Sequence, residues 1–148
     1  GQICEYTENG EILCKINKIS EKNAELPYTL DLYQGLPKSD KLETIIQKCT
    51  ELGVTSFIPV QMARSVAKIS DEKGNKKVDR WNKIAAEASK QCGRQKIPVV
   101  NNAIIFKNII ENISKYDIVL VPYESEENIS IKQILKGLKS NIASIIIY

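Results

Sequence analysis

The spacing of hydrophobic residues changes near residue 35. Before that point, apolar and polar side chains alternate in short runs that end at turn residues. These runs predict strands at Gln2–Thr7, Ile12–Ile19 and Glu25–Gln34. Asn9 and Gly10 lie between the first two runs and predict a hairpin turn. Three short strands bury too little surface to be stable alone, so we expect them to pack on other structure.

From residue 38 onward, segments with helical spacing alternate with short apolar runs. The predicted helices are Asp40–Leu52 and three segments whose inward faces are Val78–Ala88, Phe106–Ile113 and Ile131–Leu138. The predicted strands are Ser56–Val60, Pro98–Val100, Asp117–Tyr123 and Ile142–Tyr148. Such alternation is typical of a parallel sheet covered on both faces. We therefore predict an α/β domain over residues 36–148, preceded by a β segment over residues 1–35. Asp40 and Glu43 resemble a capping box, and Gly53 predicts the end of the first helix.

Composition excludes several classes of protein. The 148 residues include no histidine, which excludes Ser-His-Asp and Cys-His catalysis and imidazole metal sites within this chain. The four cysteines are far apart and form no C-x-x-C pair, so we expect reduced thiols, no metal and a cytoplasmic location. The longest apolar runs fall well short of the roughly 20 residues of a membrane span.

The positive charge is concentrated in the middle of the chain. The net charge is +3, yet residues 38–100 hold thirteen Lys or Arg against seven Asp or Glu, a net +6. A basic segment of this kind favours a polyanion such as RNA or a nucleotide. A well-solvated lysine-rich surface explains the same count, and charge alone does not separate the two.

Residues that follow predicted strands are candidates for binding. Lys38 and Lys41 flank the start of the first helix, where the helix dipole favours a phosphate. Arg64 and Ser65 follow the strand Ser56–Val60, and an arginine there can grip a phosphate or pair with a helix carboxylate. At the end of the predicted strand Asp117–Tyr123, Glu124 could bond a ribose hydroxyl and Tyr123 could stack on a base.

The end of the second helix carries a further pair of candidates. Gln91 and Arg94 stand on either side of Gly93. An amide and a guanidinium in this position could read a nucleotide, or they could belong to an ordinary helix stop with a favourable cation. Both interpretations stay open at this point.

Three segments together resemble a known family. They read GLPKSDKLETIIQKCTELGVTSFIPV (Gly35–Val60), ARSV (Ala63–Val66) and RWNKIAAEASKQCGRQKIPVV (Arg80–Val100). In this order they are similar to the RsmE family, the methyltransferases that modify uridine at N3 in small-subunit (16S) ribosomal RNA. The likeness is nearly continuous over residues 35–100 and looser on either side.

The resemblance implies a fold, a cofactor and a partner. It implies part of a PUA-like β-barrel over residues 1–35 and a parallel-sheet domain of the SPOUT class over residues 36–148. It also implies S-adenosyl-L-methionine as the cofactor, small-subunit ribosomal RNA or the assembled small subunit as the substrate, and a homodimer. The family's Gly-Pro-Glu-Gly-Gly loop and its knot are not present in this sequence. We therefore expect the intact protein to methylate and this piece to be inactive.

The resemblance also suggests roles for individual residues. We expect Arg64 to stabilise the uracil anion, and RNA contacts from Lys38, Lys41, Arg64, Ser65, Gln91 and Arg94. The expected cofactor wall consists of Val121, Pro122, Tyr123, Glu124 and Tyr148. Two alternatives remain: a non-catalytic RNA-binding module of PUA plus α/β type, and an α/β enzyme acting on a small phosphorylated substrate.

Overall fold

The computed structural model describes residues 1–19, 23, 25–38, 40–63, 71–122, 125–127, 129–137 and 144–147. The chain begins with an antiparallel hairpin of β1 (Gln2–Tyr6) and β2 (Ile12–Lys15). Its turn contains Gly10 in the left-handed region (φ 79°), as the Asn-Gly pair predicts. Every residue of both strands is exposed, so the hairpin has no packing partner among the described residues. Its assignment to a PUA-like barrel stays a prediction.

The rest of the described chain forms a parallel sheet of six strands. The strands are β3 (Thr29–Gly35), β4 (Ser56–Gln61), β5 (Val99–Val100), β6 (Ile104–Ile105), β7 (Ile118–Leu120) and β8 (Ser144–Ile147). Their order is β5-β4-β3-β8-β7, and β6 continues beside β4 past the end of β5. The helices are α1 (Lys41–Glu51), α2 (Asp71–Cys92), α3 (Phe106–Asn112), which a 3₁₀ turn (Ile113–Lys115) extends, and α4 (Ile131–Lys136). The predicted α/β class with a parallel sheet is confirmed.

The third strand corrects the predicted domain boundary. β3 pairs in parallel with β4 on one side and β8 on the other, so it is a central strand of the α/β sheet. The sequence predicts it in the β segment before residue 36, because its alternation resembles that of a half-buried antiparallel strand. The parallel sheet therefore begins at Thr29, inside the segment predicted to precede the α/β domain.

Helices cover both faces of the sheet, so its central strands are buried on each side. Leu32 faces α1 and α2 and joins a core that includes Ile46, Phe57 and Trp81. Tyr33, the next residue of β3, faces the opposite side and packs with a second core around α3. Trp81 is 6% exposed, in agreement with the predicted inward face of α2.

The helix ends combine predicted and unpredicted features. Asp40 is the N-cap of α1, but its side chain makes no capping hydrogen bond, so the predicted capping box is wrong. Gly53 ends α1 as predicted, with φ 101° and a hydrogen bond from its N–H to the Thr50 carbonyl (3.1 Å). Among the described residues, a capping box begins α4 instead, where the Ser130 side chain accepts from the Gln133 N–H. α2 begins at Asp71, seven residues before Val78, where the predicted inward face of this helix starts.

Candidate functional site at the carboxyl edge of the sheet

The parallel strands bring several chain segments together at one edge. We call the side where the strands end the carboxyl edge and the side where they begin the amino edge. Leu32 of β3 pairs with Ile147 of β8, which pairs in turn with Leu120, the last residue of β7. β3 continues three residues further, to Gly35, beside β4. At about 3.3 Å per residue the end of β3 lies about 10 Å beyond the level at which β7 ends.

A cleft lies beyond the end of β7. Its volume is about 310 Å³, and its described lining consists of Leu120, Val121, Pro122, Glu126, Ile129, Ile131 and Ile134. α4 closes one side, and the capping box of Ser130 and Gln133 fixes its first turn. The backbone N–H of Ile129 donates to a carboxylate oxygen of Glu126 (3.1 Å), which orients this acidic group in an otherwise apolar wall. An apolar cleft with one carboxylate suits a ligand with a flat ring and a positive charge.

Two of the predicted cofactor residues line this cleft. Val121 and Pro122 do so directly. Both could be predicted from their position immediately after a strand. Tyr123, Glu124 and Tyr148 lie outside the described residues.

Two of the predicted RNA-binding lysines also lie at the carboxyl edge. Lys38 and Lys41 are exposed at the start of α1, just after β3. Neither ammonium group has a hydrogen-bond partner among the described residues, so both are available to an anion. The contact with RNA stays a prediction. Arg64 and Ser65 lie outside the described residues.

Gln91 and Arg94 lie at the amino edge, away from the other candidates. α2 runs back from the carboxyl edge to the amino edge, so its last turn stands near the start of the strands. Gln91 is exposed there. The Arg94 side chain is 8% exposed and forms an ion pair with Glu25, with 2.6 Å between Nη2 and Oε2. The guanidinium also donates to the carbonyls of Thr50 and Val54. A phosphate contact by Arg94 does not fit this geometry, because protein acceptors occupy its donors.

The partner of Arg94 could not be found from sequence. Glu25 lies 69 residues before Arg94, in the segment that leads into β3. Its carboxylate also accepts hydrogen bonds from the backbone N–H groups of Gln95 (2.9 Å) and Lys96 (3.0 Å). Hydrogen bonding from Arg94 and these amides outweighs burial and lowers the pKa of Glu25 from 4.5 to about 2.

A second polar network lies between the two edges, on the face of the sheet that packs against α3. The Tyr116 hydroxyl donates to the carboxylate of Asp31 (2.6 Å), and the Tyr33 hydroxyl lies 3.3 Å from that of Tyr116. The two tyrosine rings meet edge to face, with centroids 6.2 Å apart. Burial raises the pKa of Asp31, and burial together with the neighbouring carboxylate raises the pKa of Tyr116. These groups hold the 3₁₀ turn after α3 against the sheet.

Two classes of site find no support in the part of the chain that the structure describes. In that part, no three His, Cys, Asp or Glu side chains are grouped as metal ligands would be. No described helix is both long and apolar enough to cross a bilayer.

Comparison with known proteins identifies the fold and the family. The family model for RNA methyltransferase domains matches residues 24–147. This chain belongs to that family. The match begins before β3, in agreement with the corrected boundary of the sheet.

Relatives within the family agree with the resemblance seen in the sequence. Ribosomal RNA small subunit methyltransferase E of Bacillus subtilis is 44% identical over 114 residues, which cover 77% of this chain and 44% of that protein. A crystal structure of a hypothetical protein is 40% identical, with a TM-score of 0.82 over 92% of this chain and 54% of that one. A methyltransferase E from Neisseria gonorrhoeae, solved with S-adenosyl methionine, is 23% identical with a TM-score of 0.68 over 86% of this chain and 52% of that one. This chain therefore spans about half the length of the relatives it matches.

Proposed function

We propose that the protein to which this chain belongs transfers a methyl group from S-adenosylmethionine to N3 of uridine in small-subunit ribosomal RNA. The observation that carries the proposal is the cleft beyond β7, in a chain of the RNA methyltransferase family. In open α/β sheets ligands bind outside the carboxyl ends of the strands. The cleft and the exposed Lys38 and Lys41 lie at that edge.

The described lining of the cleft fits the cofactor. Val121 and Pro122 offer apolar contact to the adenine ring, and the Glu126 carboxylate lies in the same wall. A negative group there favours a ligand that carries a sulfonium. When bound, the cofactor supplies an electrophilic methyl group. At about 310 Å³ the cleft is at the small end of the range for ligand pockets, so these residues form only part of the site.

The residues of this chain would assist the transfer in two ways. N3 of uridine is a weak acid, so a cation near the uracil oxygens stabilises the anion that forms as the proton leaves. We assign this role to Arg64. The chain contains no histidine, so a carboxylate or a water molecule accepts the proton. The target base leaves its stack before it reaches the cofactor.

The proposal extends to the state of the whole protein. We expect the 148-residue chain alone to be inactive, because it spans about half of its relatives. We expect the whole protein to be a homodimer that acts in the cytoplasm, where its ribosomal substrate is assembled.

Methyl transfer to isolated small subunits and to naked small-subunit RNA tests the proposal. The whole protein and labelled S-adenosylmethionine should yield 3-methyluridine in digested RNA, and the 148-residue chain should yield none. Arg64→Ala should lower the turnover rate by about 10²–10³-fold, as the loss of a group that stabilises a developing anion does elsewhere. RNA binding without transfer by the whole protein would favour the non-catalytic module instead.

A further inference from the structure

A second cavity lies at the carboxyl edge, away from the cofactor cleft. Its volume is about 150 Å³, and its described lining consists of Gln61, Gly74, Asn75, Val78, Asn102, Ala103, Ile104 and Ile105. The lining comes from the end of β4, the first turns of α2, and the β5–β6 connection with β6. We call it the amide pocket, after the three carboxamide side chains that it brings together.

The three carboxamides have no hydrogen-bond partner among the described residues. This is true of Gln61, Asn75 and Asn102. Two neighbouring asparagines behave differently. Asn82 donates to the Val78 and Val100 carbonyls and accepts from the Val100 N–H, all at 3.0 Å.

Asn101 likewise donates to the Ser56 hydroxyl (2.8 Å) and to the Phe57 carbonyl (3.2 Å). The fold therefore uses two nearby amides for structure, whereas the three around the cavity have no protein partner among the described residues.

The pocket has the size and chemistry of a nucleobase site. A cavity of about 150 Å³ holds a single six-membered ring, whereas drug-sized ligands need about 300 Å³ or more. Each carboxamide offers both a donor and an acceptor, the combination that reads base edges. Val78, Ile104 and Ile105 supply apolar surface for the face of a ring.

The position of the pocket indicates which nucleotide it would hold. β4 and β7 are separated by β3 and β8. At about 4.8 Å per strand spacing, the amide pocket lies about 14 Å across the sheet from the cofactor cleft. A base bound there is a neighbour of the modified nucleotide and not that nucleotide itself.

We propose that the amide pocket binds one unpaired base of the RNA substrate, next to the base that is methylated. The proposal rests on the proposed function for the identity of the RNA. It adds a site that sets the position of the RNA strand on the sheet. The same site contributes to which RNA sequence the protein recognises.

Titration of the ¹⁵N-labelled 148-residue chain tests the pocket without any activity. The probes are single-stranded pentanucleotides of A, C or U, and an abasic pentamer with the same backbone charge. At least one of the three base-bearing pentamers should shift the side-chain NH₂ signals of Gln61, Asn75 and Asn102, and the abasic pentamer should leave them in place. S-adenosylmethionine alone should also leave them in place.

Two matched variants add an affinity measurement. Asn102→Ala should weaken binding of the preferred pentamer about three- to tenfold, the effect of one hydrogen bond. Asn108→Ala removes an exposed amide from α3, outside the pocket lining, and should leave the affinity unchanged. Binding by the abasic pentamer would not change in either variant.

Several results would overturn the proposal. These are equal shifts with the abasic pentamer, silent pocket amides at saturating RNA, no binding of any pentamer by the chain, or shifts with the cofactor alone. The outcome is separate from that of the methylation assay. Pocket shifts in a protein that transfers no methyl would leave the pocket standing and remove the proposed function, and silent amides in an active protein would do the reverse.

Discussion

The polar side chains described at the two edges of the sheet differ in whether they have partners within the protein. At the amino edge, Arg94 and Glu25 are almost fully buried, and each meets several protein partners. At the carboxyl edge, Lys38, Lys41 and the carboxamides of the amide pocket have no such partner among the described residues. Sequence presents both sets alike, as charged or amide residues in or near the connections between strands and helices. The comparison teaches that occupancy of the hydrogen-bonding groups, and not residue type, separates a structural group from a binding group.

The largest expected effect comes from breaking the amino-edge ion pair. Arg94→Ala leaves the Glu25 carboxylate buried without its main donor. We expect a loss of about 3–5 kcal/mol in the free energy of unfolding, measured by urea denaturation. Arg80→Ala is the matched control, because Arg80 pairs with Glu43 at 2.8 Å but is 64% exposed, and it should cost less than about 1 kcal/mol. Equal losses in the two variants would contradict the distinction between buried and exposed pairs.

The pH dependence of stability gives the next largest effect. Because the folded-state pKa of Glu25 is lowered from 4.5 to about 2, its contribution is fully present only above about pH 5. It is lost as the pH falls from about 5 to about 2. We expect it to amount to about 2 kcal/mol after allowance for solvent screening.

Glu25→Gln isolates this contribution. The raised pKa of Asp31 acts in the opposite direction, since its protonation in the folded state favours folding as the pH falls. The difference between the wild type and Glu25→Gln, measured by denaturation at each pH, cancels the part due to Asp31. That difference should shrink as the pH is lowered through this range. A difference that is constant with pH would show that the carboxylate charge contributes nothing.

The polar network of Tyr33, Tyr116 and Asp31 tests whether a half-buried polar group stabilises the fold as the buried ion pair at the amino edge does. Tyr116→Phe removes the donor to Asp31 and should cost about 1–2 kcal/mol, read from thermal or urea unfolding. It should also raise the pKa of Asp31 further, which a ¹³C NMR titration of the carboxyl group would detect. Tyr33→Phe is the control, because its hydroxyl does not touch Asp31, and it should leave that pKa nearly unchanged. The same pKa in both variants would remove Tyr116 from this role.

The sequence predicted what depends on nearby residues. Helical spacing identified the inward face of α2 around Trp81, and the Asn-Gly pair identified the hairpin turn. Val121 and Pro122 could be placed at the carboxyl edge, where they line the cleft, because they directly follow a strand. Each of these inferences needs only a few neighbouring positions.

The missed features depend on residues far apart in the chain. β3 was assigned to the wrong unit because its neighbours, β4 and β8, are not visible in its own alternation. Glu25 meets a partner 69 residues away, and Asp31 one that is 85 residues away. The carboxamides of the amide pocket look like ordinary loop and helix residues until the sheet brings them around one cavity. No local pattern distinguishes them from Asn82, whose amide is fully used.

Lys38 and Lys41 at the carboxyl edge give the smallest expected effect on stability. They also give the sharpest test of whether this edge binds RNA. Removing both in Lys38→Ala/Lys41→Ala should change the free energy of unfolding by no more than about 0.5 kcal/mol. If each contacts one phosphate of single-stranded RNA, the slope of log affinity against log salt should fall in magnitude by about 1.4. Fluorescence anisotropy over a range of salt concentrations measures this slope.

A charge-matched variant separates position from charge. Lys48 lies in the last turn of α1 and Lys90 in the last turn of α2, and each pairs with a glutamate on its own helix. Lys48→Ala/Lys90→Ala removes the same net charge but should leave the slope nearly unchanged, because these ammonium groups stand toward the amino edge and already have partners. If both double variants lowered the slope equally, RNA would be responding to the net charge of the basic middle segment. The difference between the two edges would then concern folding alone.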